Sequence, residues 1–432
     1  MTSTMVDILI IGAGAAGLTA ARALSGGGRS VTVLEARERI GGRIHTLRTN
    51  FTVPVAEGGA EFMHGNLPLT TALMQEAGMP FYEGDGATWN VQHQRLQKGD
   101  IMPDGWDELN NKLRALKQDM SIGAFLRQYV GDEAHRALRE NITRLVEGYD
   151  AADVDKASAF ALREEWAAEE NLTGYRPKQG YGPLMEFLQH KCTELGVVFH
   201  LKNNVTHIRY TPDYVEVATA DGERYIGRKL VVTVPVAVLN AGTITFSPEP
   251  VQHLHALRRI ETGGVIKFLI EFTGKFWERP QPTEGYVMPD LHFLFSDAYV
   301  PTWWTQNPAQ STLLSGWLSG PVTKHLRKGD HELLQEAFRS LAYIFNCTEV
   351  YLRQHIRNAK VFNWVTDPFA RGAYAYKSVG NDEALKTIAV PVDDKLYFAG
   401  EAYYNGPEMG TVEAALASGN ATAEKILKEK HL

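Results

Sequence analysis

The stretch "DILIIGAGAAGLTAARALSGGGRSVTVLEARERIGGR", from Asp7 to Arg43, carries the clearest structural pattern in this sequence. It opens with a short apolar run that ends in glycine, which is typical of a strand buried in a parallel sheet. Gly12, Gly14 and Gly17 follow at G-x-G-x-x-G spacing. The first permits a tight turn, the second lets the backbone approach a pyrophosphate, and the third lets helix and strand pack closely. A helix of good formers comes next, so the order predicts a dinucleotide-binding unit.

A second predicted strand, "SVTVLE", ends at Glu35, which lies 18 residues after Gly17. An acidic residue at this point binds a ribose hydroxyl in dinucleotide-binding folds. The pattern therefore favours FAD or NAD over NADP as the ligand.

The composition narrows the class of protein. The 432 residues are 44% hydrophobic and 22% charged, with a net charge of −7. The length favours two or three lobes over a single core, and no basic excess suggests a nucleic-acid partner. There is no run of 18 apolar residues and no basic leader, so we expect neither a membrane anchor nor a signal peptide. The oligomeric state is not indicated.

The two cysteines, Cys192 and Cys347, lie 155 residues apart and outside any metal-binding spacing. We therefore expect no disulfide and no metal site. Free cysteines favour a reducing compartment, and we expect a cytoplasmic location.

The residues after Glu35 indicate which dinucleotide is bound. "RIGGR", Arg39 to Arg43, places two glycines beside an arginine, which suits a backbone bend near phosphate oxygens. Here the sequence resembles the flavin-containing amine oxidases, the family of monoamine and polyamine oxidases, in which R-x-G-G-R contacts FAD. "VAEGGAEFMHG", residues 55–65, is similar to the segment of that family beside the flavin. Animal polyamine oxidases place a substrate-site histidine at the position of His64.

The resemblance implies further FAD contacts near the end of the sequence. "LYFAGE" ends at Glu401, where the family binds the ribityl chain. A predicted helix opens at Thr411, and its free N–H groups and positive end can face the pyrimidine side of the flavin ring, with Thr411 and Val412 as donors. The FAD-binding residues predicted in all are Gly12, Gly14, Ala16, Gly17, Glu35, Ala36, Arg37, Gly42, Arg43, Gly59, Ala60, Glu61, Val205, Trp364, Gly400, Glu401, Thr411 and Val412.

The resemblance also implies the catalytic residues. Lys267 lies in the apolar, strand-like "GGVIKFLIEFTGKFW", where the family carries a lysine that is bridged by water to flavin N5 and assists the reaction with oxygen. "NWVTDPFARGAYAY" is similar to the segment that places Trp364 against the flavin and Tyr374 on the substrate side. With His64, these residues are the predicted catalytic group, and aromatic faces suit an amine.

Departures from the family pattern limit what can be carried over. Ala373 stands where monoamine oxidases have the cysteine that bonds to FAD, so the flavin is expected to be non-covalent. Pro407 stands where their second cage tyrosine lies, and Tyr403 or Tyr404 could fill that place.

The sequence leaves the identity of the amine open. "GAEFMHG" lacks the arginine that binds a substrate carboxylate in L-amino-acid oxidases, for which Arg371 or Arg176 could substitute. The acidic stretch "REEWAAEE" is either an exposed helix face or a contact for a polycation; it contains Glu164, Glu165, Glu169 and Glu170.

The predicted fold is α/β. A Rossmann-type FAD-binding domain is assembled from residues 1–66, 180–248 and 385–432, and a mixed α+β substrate domain from residues 67–179, read as mostly helical, and 249–384.

The predicted activity is that of an FAD-dependent amine oxidase acting on a small amine and oxygen. A hydride passes to flavin N5, water hydrolyses the imine, and oxygen is reduced to hydrogen peroxide. Two alternatives stay open: a carbon–carbon dehydrogenase of the same fold, and an FAD-binding protein without turnover. Lys267 and Trp364, in their sequence contexts, argue against the dehydrogenase.

Overall fold

The computed structural model describes residues 5–99, 105–168, 174–279 and 285–429. Its strands are β1 (Val6–Ile11), β2 (Val31–Leu34), β3 (Thr46–Leu47), β4 (Ala56–Glu57), β5 (Phe81–Glu83), β6 (Ala87–Gln92), β7 (Arg95–Lys98), β8 (Tyr175–Pro177), β9 (Val198–His200), β10 (Val205–Tyr210), β11 (Val215–Thr219), β12 (Arg224–Val232), β13 (Thr245–Ser247), β14 (Glu261–Thr262), β15 (Val265–Phe272), β16 (Leu291–Ser296), β17 (Thr302–Trp304), β18 (Leu313–Ser319), β19 (Ile356–Asn363), β20 (Ala375–Tyr376) and β21 (Leu396–Phe398).

The helices connect and cover these strands. They are α1 (Ala15–Gly26), α2 (Pro68–Glu76), α3 (Trp106–Ala115), α4 (Ile122–Tyr129), α5 (Arg136–Gly148), α6 (Ala159–Ala168), α7 (Gly182–Glu194), α8 (Val236–Asn240), α9 (Val251–Leu257), α10 (Pro321–His325), α11 (Asp330–Ile344), α12 (Glu349–Gln354), α13 (Asn381–Ile388) and α14 (Val412–Lys428). Among the described residues, none of these helices is both long and apolar enough to cross a lipid bilayer.

The first sheet is the dinucleotide-type sheet. Its strand order is β13–β10–β11–β12–β1–β2–β9, and β21 also pairs with β12. β1 lies inside it, parallel to both β2 and β12. Because β1, β12 and β21 come from three distant stretches of the chain, the predicted fold class is confirmed. The exact bounds of the two domains stay a prediction.

Helices α1, α7 and α14 pack against the β1–β2 part of this sheet. Leu18, Ala21 and Leu24 of α1 are fully buried in one apolar cluster with Leu416 and Ile426 of α14. The C-terminal helix thus completes the core that the first βαβ unit begins, and it brings the two ends of the chain together.

The turn between β1 and α1 needs glycine for two different reasons. Gly12 has φ +107°, a backbone conformation that side chains disfavour. A Cβ on Gly17 would lie 2.0 Å from the Gly12 carbonyl oxygen, so helix and turn touch backbone to backbone. The roles inferred from the spacing hold for both residues.

The second sheet has the order β19–β15–β18–β17–β16–β6–β7. Its outer hairpin, β6–β7, belongs to the insert formed by residues 67–179, which the sequence predicts to be mostly helical and which also contains strands that the prediction lacks. Helices α2 to α6 lie in the insert as expected, but β5 and β8 also pair there. The hairpin was missed because only Val91 of β6 is fully buried, which leaves almost no apolar alternation in "ATWNVQ". Its partner strand β16 supplies the buried contacts from outside the insert.

Candidate active site

A cavity of about 1460 Å³, the central cavity, is lined by residues of both sheets. It extends from the β1–α1 turn, past the end of β2, to the face of β15, β17 and β18. Of the predicted FAD-binding residues, all but Gly17 lie on its wall: Gly12, Gly14, Ala16, Glu35, Ala36, Arg37, Gly42, Arg43, Gly59, Ala60, Glu61, Val205, Trp364, Gly400, Glu401, Thr411 and Val412. Gly17 lies behind the turn, where it permits close packing without reaching the cavity.

The nucleotide end of the central cavity is built mainly from backbone. α1 begins after Gly14 without a side-chain cap, so its first amides have no partner within the helix. Glu35 accepts hydrogen bonds from the amides of Ala13 (2.8 Å) and Arg37 (2.9 Å), which ties the end of β2 to the glycine turn. Free amides at a helix start beside a carboxylate are the groups that bind a pyrophosphate and a ribose.

Arg43 and Glu401 bind each other, which the sequence did not predict. Arg43 Nη1 lies 2.7 Å from Glu401 Oε1 and also donates to the Ala373 carbonyl. The other oxygen of Glu401 accepts from the amide of Ala375. The family resemblance implies a separate contact to FAD for each residue, and the ion pair brings the two side chains together on the cavity wall.

The start of α14 differs from the prediction at Thr411, whose backbone amide was expected to be a donor to the flavin. The amide of Thr411 donates to the Glu408 carbonyl, and its hydroxyl caps the helix by accepting from Ala414. Thr411 is therefore the N-cap and its amide is already used. Within the described part of the chain the Val412 amide has no partner, so Val412 is the donor of this pair that faces the cavity.

Lys267 is buried within β15 and has a carboxylate partner. Its Nζ lies 2.7 Å from Glu61 Oε2 and 3.0 Å from the Gly59 carbonyl oxygen, and 5.4 Å from the Trp304 ring centroid. Glu61 was predicted only as an FAD contact. Burial alone would raise the pKa of Glu61, but the charges of Lys267 and Arg176 lower it to about 2. The carboxylate is therefore ionised at neutral pH.

Aromatic side chains, among them His64, Trp364 and Tyr374, line the other end of the central cavity, which we name the amine end after the substrate that the sequence predicts. The Trp364 indole donates to the Gly58 carbonyl (3.0 Å), and the Tyr374 hydroxyl donates to the Tyr149 carbonyl. His64 stacks on Phe62 at 5.1 Å. Burial and the charge of Arg176 lower the pKa of His64 to about 4, so the imidazole is neutral at pH 7. The three predicted aromatic residues, His64, Trp364 and Tyr374, all line the central cavity, as does Lys267.

The structure shows which residues could replace the cage tyrosine and the carboxylate-binding arginine that this sequence lacks. Tyr403 and Tyr404 do not reach the cavity wall, whereas Pro407 does. Arg176 is buried against Glu61 behind the wall, so it cannot bind a substrate carboxylate. Arg371 is exposed and lies on the wall. Only Arg371 remains available for that role.

The acidic stretch only partly reaches the site. Glu165 lines the central cavity, and Glu164 is exposed on α6. Glu169 and Glu170 lie outside the described residues.

Sequence reasoning missed several wall residues and their supports. Tyr149, Phe62, Phe293, Trp304 and Trp317 line the amine end. They come from separate elements, and no local spacing marks them. The one available signal was the aromatic content of β16 to β18, whose sequences "LHFLFS", "TWW" and "LLSGWLS" contain Phe293, Trp304 and Trp317.

Comparison with known proteins agrees with this geometry. Residues 15–427 match the family described as flavin containing amine oxidoreductase. Lysine-specific histone demethylase 1B of Mus musculus is 28% identical over 97% of this chain and 52% of the demethylase. Polyamine oxidase 3 of Oryza sativa subsp. japonica is 29% identical over 96% of this chain and 88% of the oxidase. The chain spans about half the length of the demethylases of mouse and human that it matches.

Solved structures share the fold. Putrescine oxidase bound to putrescine superimposes with a TM-score of 0.79 at 19% identity, over 99% of this chain and 100% of that one. Cyclohexylamine oxidase from Brevibacterium oxydans IH-35A gives 0.78 at 19% identity, over 98% and 99%. Because the family match extends over nearly the whole sequence, this protein belongs to the flavin containing amine oxidoreductase family.

Proposed function

We propose that this protein is an FAD-dependent amine oxidase that holds its flavin without a covalent bond. One observation carries the proposal. The central cavity joins the free amides of α1 and the Glu35 carboxylate at one end to Lys267, Trp364 and Tyr374 at the other. A dinucleotide bound at the first end has room to reach the aromatic wall at the second.

The residues present fit FAD. Gly42 and Gly14 are neighbours on the cavity wall, since a Cβ added to Gly42 would touch the Cα of Gly14 at 3.6 Å, and neither residue has a side chain to cover the backbone there. Gly14 and the amides after it would hold the pyrophosphate, Glu35 the ribose, and Val412 the ring. FAD supplies the hydride acceptor when bound.

For a primary amine, the proposed net reaction converts one amine, one oxygen and one water into one carbonyl compound, one ammonia and one hydrogen peroxide. A secondary amine of a polyamine releases a smaller amine in place of ammonia. Trp364 and Tyr374 position the neutral amine between aromatic faces. Neutral His64 shapes the same wall without adding a charge. Lys267 places a positive charge beside the cavity, where it stabilises negative charge that develops as oxygen is reduced.

The positions of the cysteines support non-covalent binding. Cys192 is buried, and its thiol lies 3.4 Å from the Leu18 carbonyl oxygen. Cys347 packs beside the apolar cluster of the second sheet. Neither lies on the wall of the central cavity, and Ala373 does. We therefore expect acid precipitation to release all of the flavin into the supernatant.

Among amines, we propose a substrate that carries a second positive charge. The insert places four carboxylates on the cavity wall: Glu140, Glu147, Asp150 and Glu165. Four arginines also line the cavity, but Arg37 is paired with Asp367 and Arg43 with Glu401. The other two are Arg371 and Arg144, and Arg144 donates to Gln92 and Asn141. The acidic balance favours a diamine or polyamine over an amino acid. The similarity to rice polyamine oxidase 3 is consistent with this choice.

An anaerobic absorbance titration tests the proposal. The purified flavoprotein is mixed without oxygen with monoamines, diamines, polyamines and amino acids. We expect diamines or polyamines to bleach the oxidised flavin band at the lowest concentration. If amino acids bleach it first, the substrate assignment is wrong. If dithionite bleaches the flavin and no amine does, amine oxidation itself is wrong.

A further inference from the structure

Three charged side chains form a buried row beside the central cavity. Their side chains are 1% (Lys267), 4% (Glu61) and 3% (Arg176) exposed. Lys267 Nζ lies 2.7 Å from Glu61 Oε2, and Arg176 Nε lies 3.2 Å from Glu61 Oε1. The Glu61 carboxylate thus binds two cations, Lys267 on the cavity wall and Arg176 behind it.

Neutral donors fix the orientation of the Glu61 carboxylate. Oε1 also accepts from the Trp304 indole (2.9 Å) and the Gln306 amide (2.9 Å). Both oxygens are therefore committed, and rotation of the carboxylate would break several hydrogen bonds at once.

Arg176 is the anchor of the row. Its Nη2 donates to the Thr305 carbonyl at 3.1 Å, and Nη1 lies 3.4 Å from the Asn307 carbonyl oxygen. The guanidinium also lies 4.2 Å from the ring centroid of Phe62. A planar guanidinium held at this many points cannot follow Glu61 if the carboxylate moves, so it fixes Glu61 in place.

Lys267 keeps one donor for the cavity. An ammonium has three N–H groups, and Glu61 and the Gly59 carbonyl take two. The residues opposite Lys267 on β18 and β19 are Trp317 and Phe362, whose rings offer it no carboxylate. In the described ranges no protein group accepts a third hydrogen bond from Nζ, and Lys267 lies on the cavity wall.

We propose that Glu61, anchored by Arg176, is a positioning residue that holds Lys267 as an ammonium with one N–H facing the central cavity. The inference rests on the proposed function, in which Lys267 acts in the reaction with oxygen. Without Glu61, two buried cations would face each other with no anion between them, and a buried cation without a partner loses its proton more easily. The titratable groups around the pair are Arg176 on β8, Glu57 on β4, His292 on β16 and Tyr82 on β5.

The first test compares Glu61→Gln with Glu271→Gln. Glu271 lies on β15 like Lys267 and is equally buried, but it binds Thr52 and does not line the cavity. The flavoprotein is reduced with dithionite and mixed with oxygen between about pH 6 and about pH 9, a range that reveals an essential ionisation. We expect Glu61→Gln to slow flavin reoxidation about 10- to 100-fold at neutral pH, as supporting partners do, with a further loss as pH rises. Glu271→Gln should match the wild type.

Reduction by dithionite separates the two proposals. If no amine bleaches the flavin but Glu61→Gln still slows reoxidation with the new pH dependence, the proposed function fails and the positioning role stands. If Glu61→Gln reoxidises at the wild-type rate with the wild-type pH profile, the positioning role is overturned. If Glu61→Gln does not fold, Glu61→Asp replaces it, because aspartate keeps the negative charge on a shorter side chain. Its rate of flavin reoxidation is expected to lie between those of the wild type and Lys267→Met.

The second test needs no turnover. Thermal midpoints of the flavoprotein are compared for wild type, Glu61→Gln, Lys267→Met and the double variant. Glu61→Gln leaves Lys267 and Arg176 without their shared anion, and Lys267→Met leaves Glu61 with Arg176 as its one remaining cation. A fall of about 5 °C is expected for the first change and a smaller fall for the second. The thermal midpoint of the double variant should fall by less than the sum of the decreases in the two single variants. Strict additivity would show that the two side chains do not act as a pair, and would overturn the inference.

Discussion

The two ends of the central cavity are built in opposite ways. The nucleotide end comes largely from one continuous stretch, Gly12 to Arg43, and offers mostly backbone amides. The amine end combines side chains from distant elements, such as His64, Lys267 and Tyr374. At the nucleotide end the backbone must lie close to the ligand, so side chains must be absent. At the second end the chemical identity of each side chain matters.

This difference predicts two kinds of sensitivity to mutation. A substitution at the nucleotide end acts through steric clash and should remove flavin binding and stability together. A substitution at the amine end should leave a folded, flavin-containing protein with one altered step. The variants below test this contrast, beginning with the largest expected effect.

Gly17→Ala should be the most damaging single change. Its Cβ would lie 2.0 Å from the Gly12 carbonyl oxygen, and neither backbone can move without displacing β1 or α1. We expect the free energy of unfolding to fall by more than about 3 kcal/mol and the purified protein to lack flavin. Chemical denaturation and the visible spectrum measure both effects.

Gly26→Ala, at the other end of the same helix, is the matched control. A Cβ there meets no atom within 4 Å, and alanine favours helix over glycine by about 0.5–1 kcal/mol. This variant should be as stable as the wild type or more so, with its flavin in place. A Gly17→Ala protein that retains flavin would show that the turn can relax.

Lys267→Met should change one half of the reaction. Removing the charge from the cavity wall should slow reoxidation by oxygen about 100-fold, while reduction by amine changes by no more than about threefold. Stopped-flow absorbance separates the two steps. Lys360→Met on the neighbouring strand β19 is the control, since Lys360 does not line the cavity. Equal slowing of both half-reactions would assign Lys267 to structure and not to oxygen.

The contrast between the ends also describes what the sequence could predict. The β1–α1–β2 unit was predictable because glycine spacing and strand periodicity are local. The family resemblance singled out Lys267, Trp364 and Tyr374, which all line the central cavity, and their roles stay a prediction. The β6–β7 hairpin was missed because its burial comes from β16, which lies about two hundred residues away.

The contacts between site residues were harder to predict from the sequence than the site residues themselves. Glu61 was identified as a wall residue, but its ion pair with Lys267 joins segments separated by 206 positions. Arg176 was considered for a substrate carboxylate and instead binds Glu61 from behind the wall. A charged side chain gives no local sign of which opposite charge it will meet, and only the packing of β8 and β15 decides it.

Acid should destabilise the amine end. Burial, then the charge of Arg176, lowers the pKa of both His64 and His292 to about 4, against an ordinary value of 6.5. The unfolded chain therefore takes up protons first, so this stability is complete above about pH 6.5 and is lost as pH falls towards 4. Between pH 7 and pH 5 each of these two histidines should lower the free energy of unfolding by about 1 to 2 kcal/mol. His64→Gln should reduce the loss measured by denaturant unfolding, and exposed His331→Gln should not.

Tyr374→Phe should have the smallest effect and should confine it to the amine. The change removes the hydroxyl that donates to the Tyr149 carbonyl, and so loosens the link between the ring and the insert. Loss of one such hydrogen bond should lower kcat/KM for the amine about tenfold and leave reoxidation unchanged. Burial raises the pKa of Tyr374 well above its usual range, so the hydroxyl stays protonated and the pH profile of kcat/KM should be the same in both proteins. Tyr376→Phe, two residues away and off the cavity wall, is the control. If Tyr374→Phe instead releases flavin, the two ends of the cavity are not independent, and the contrast drawn between them fails at this residue.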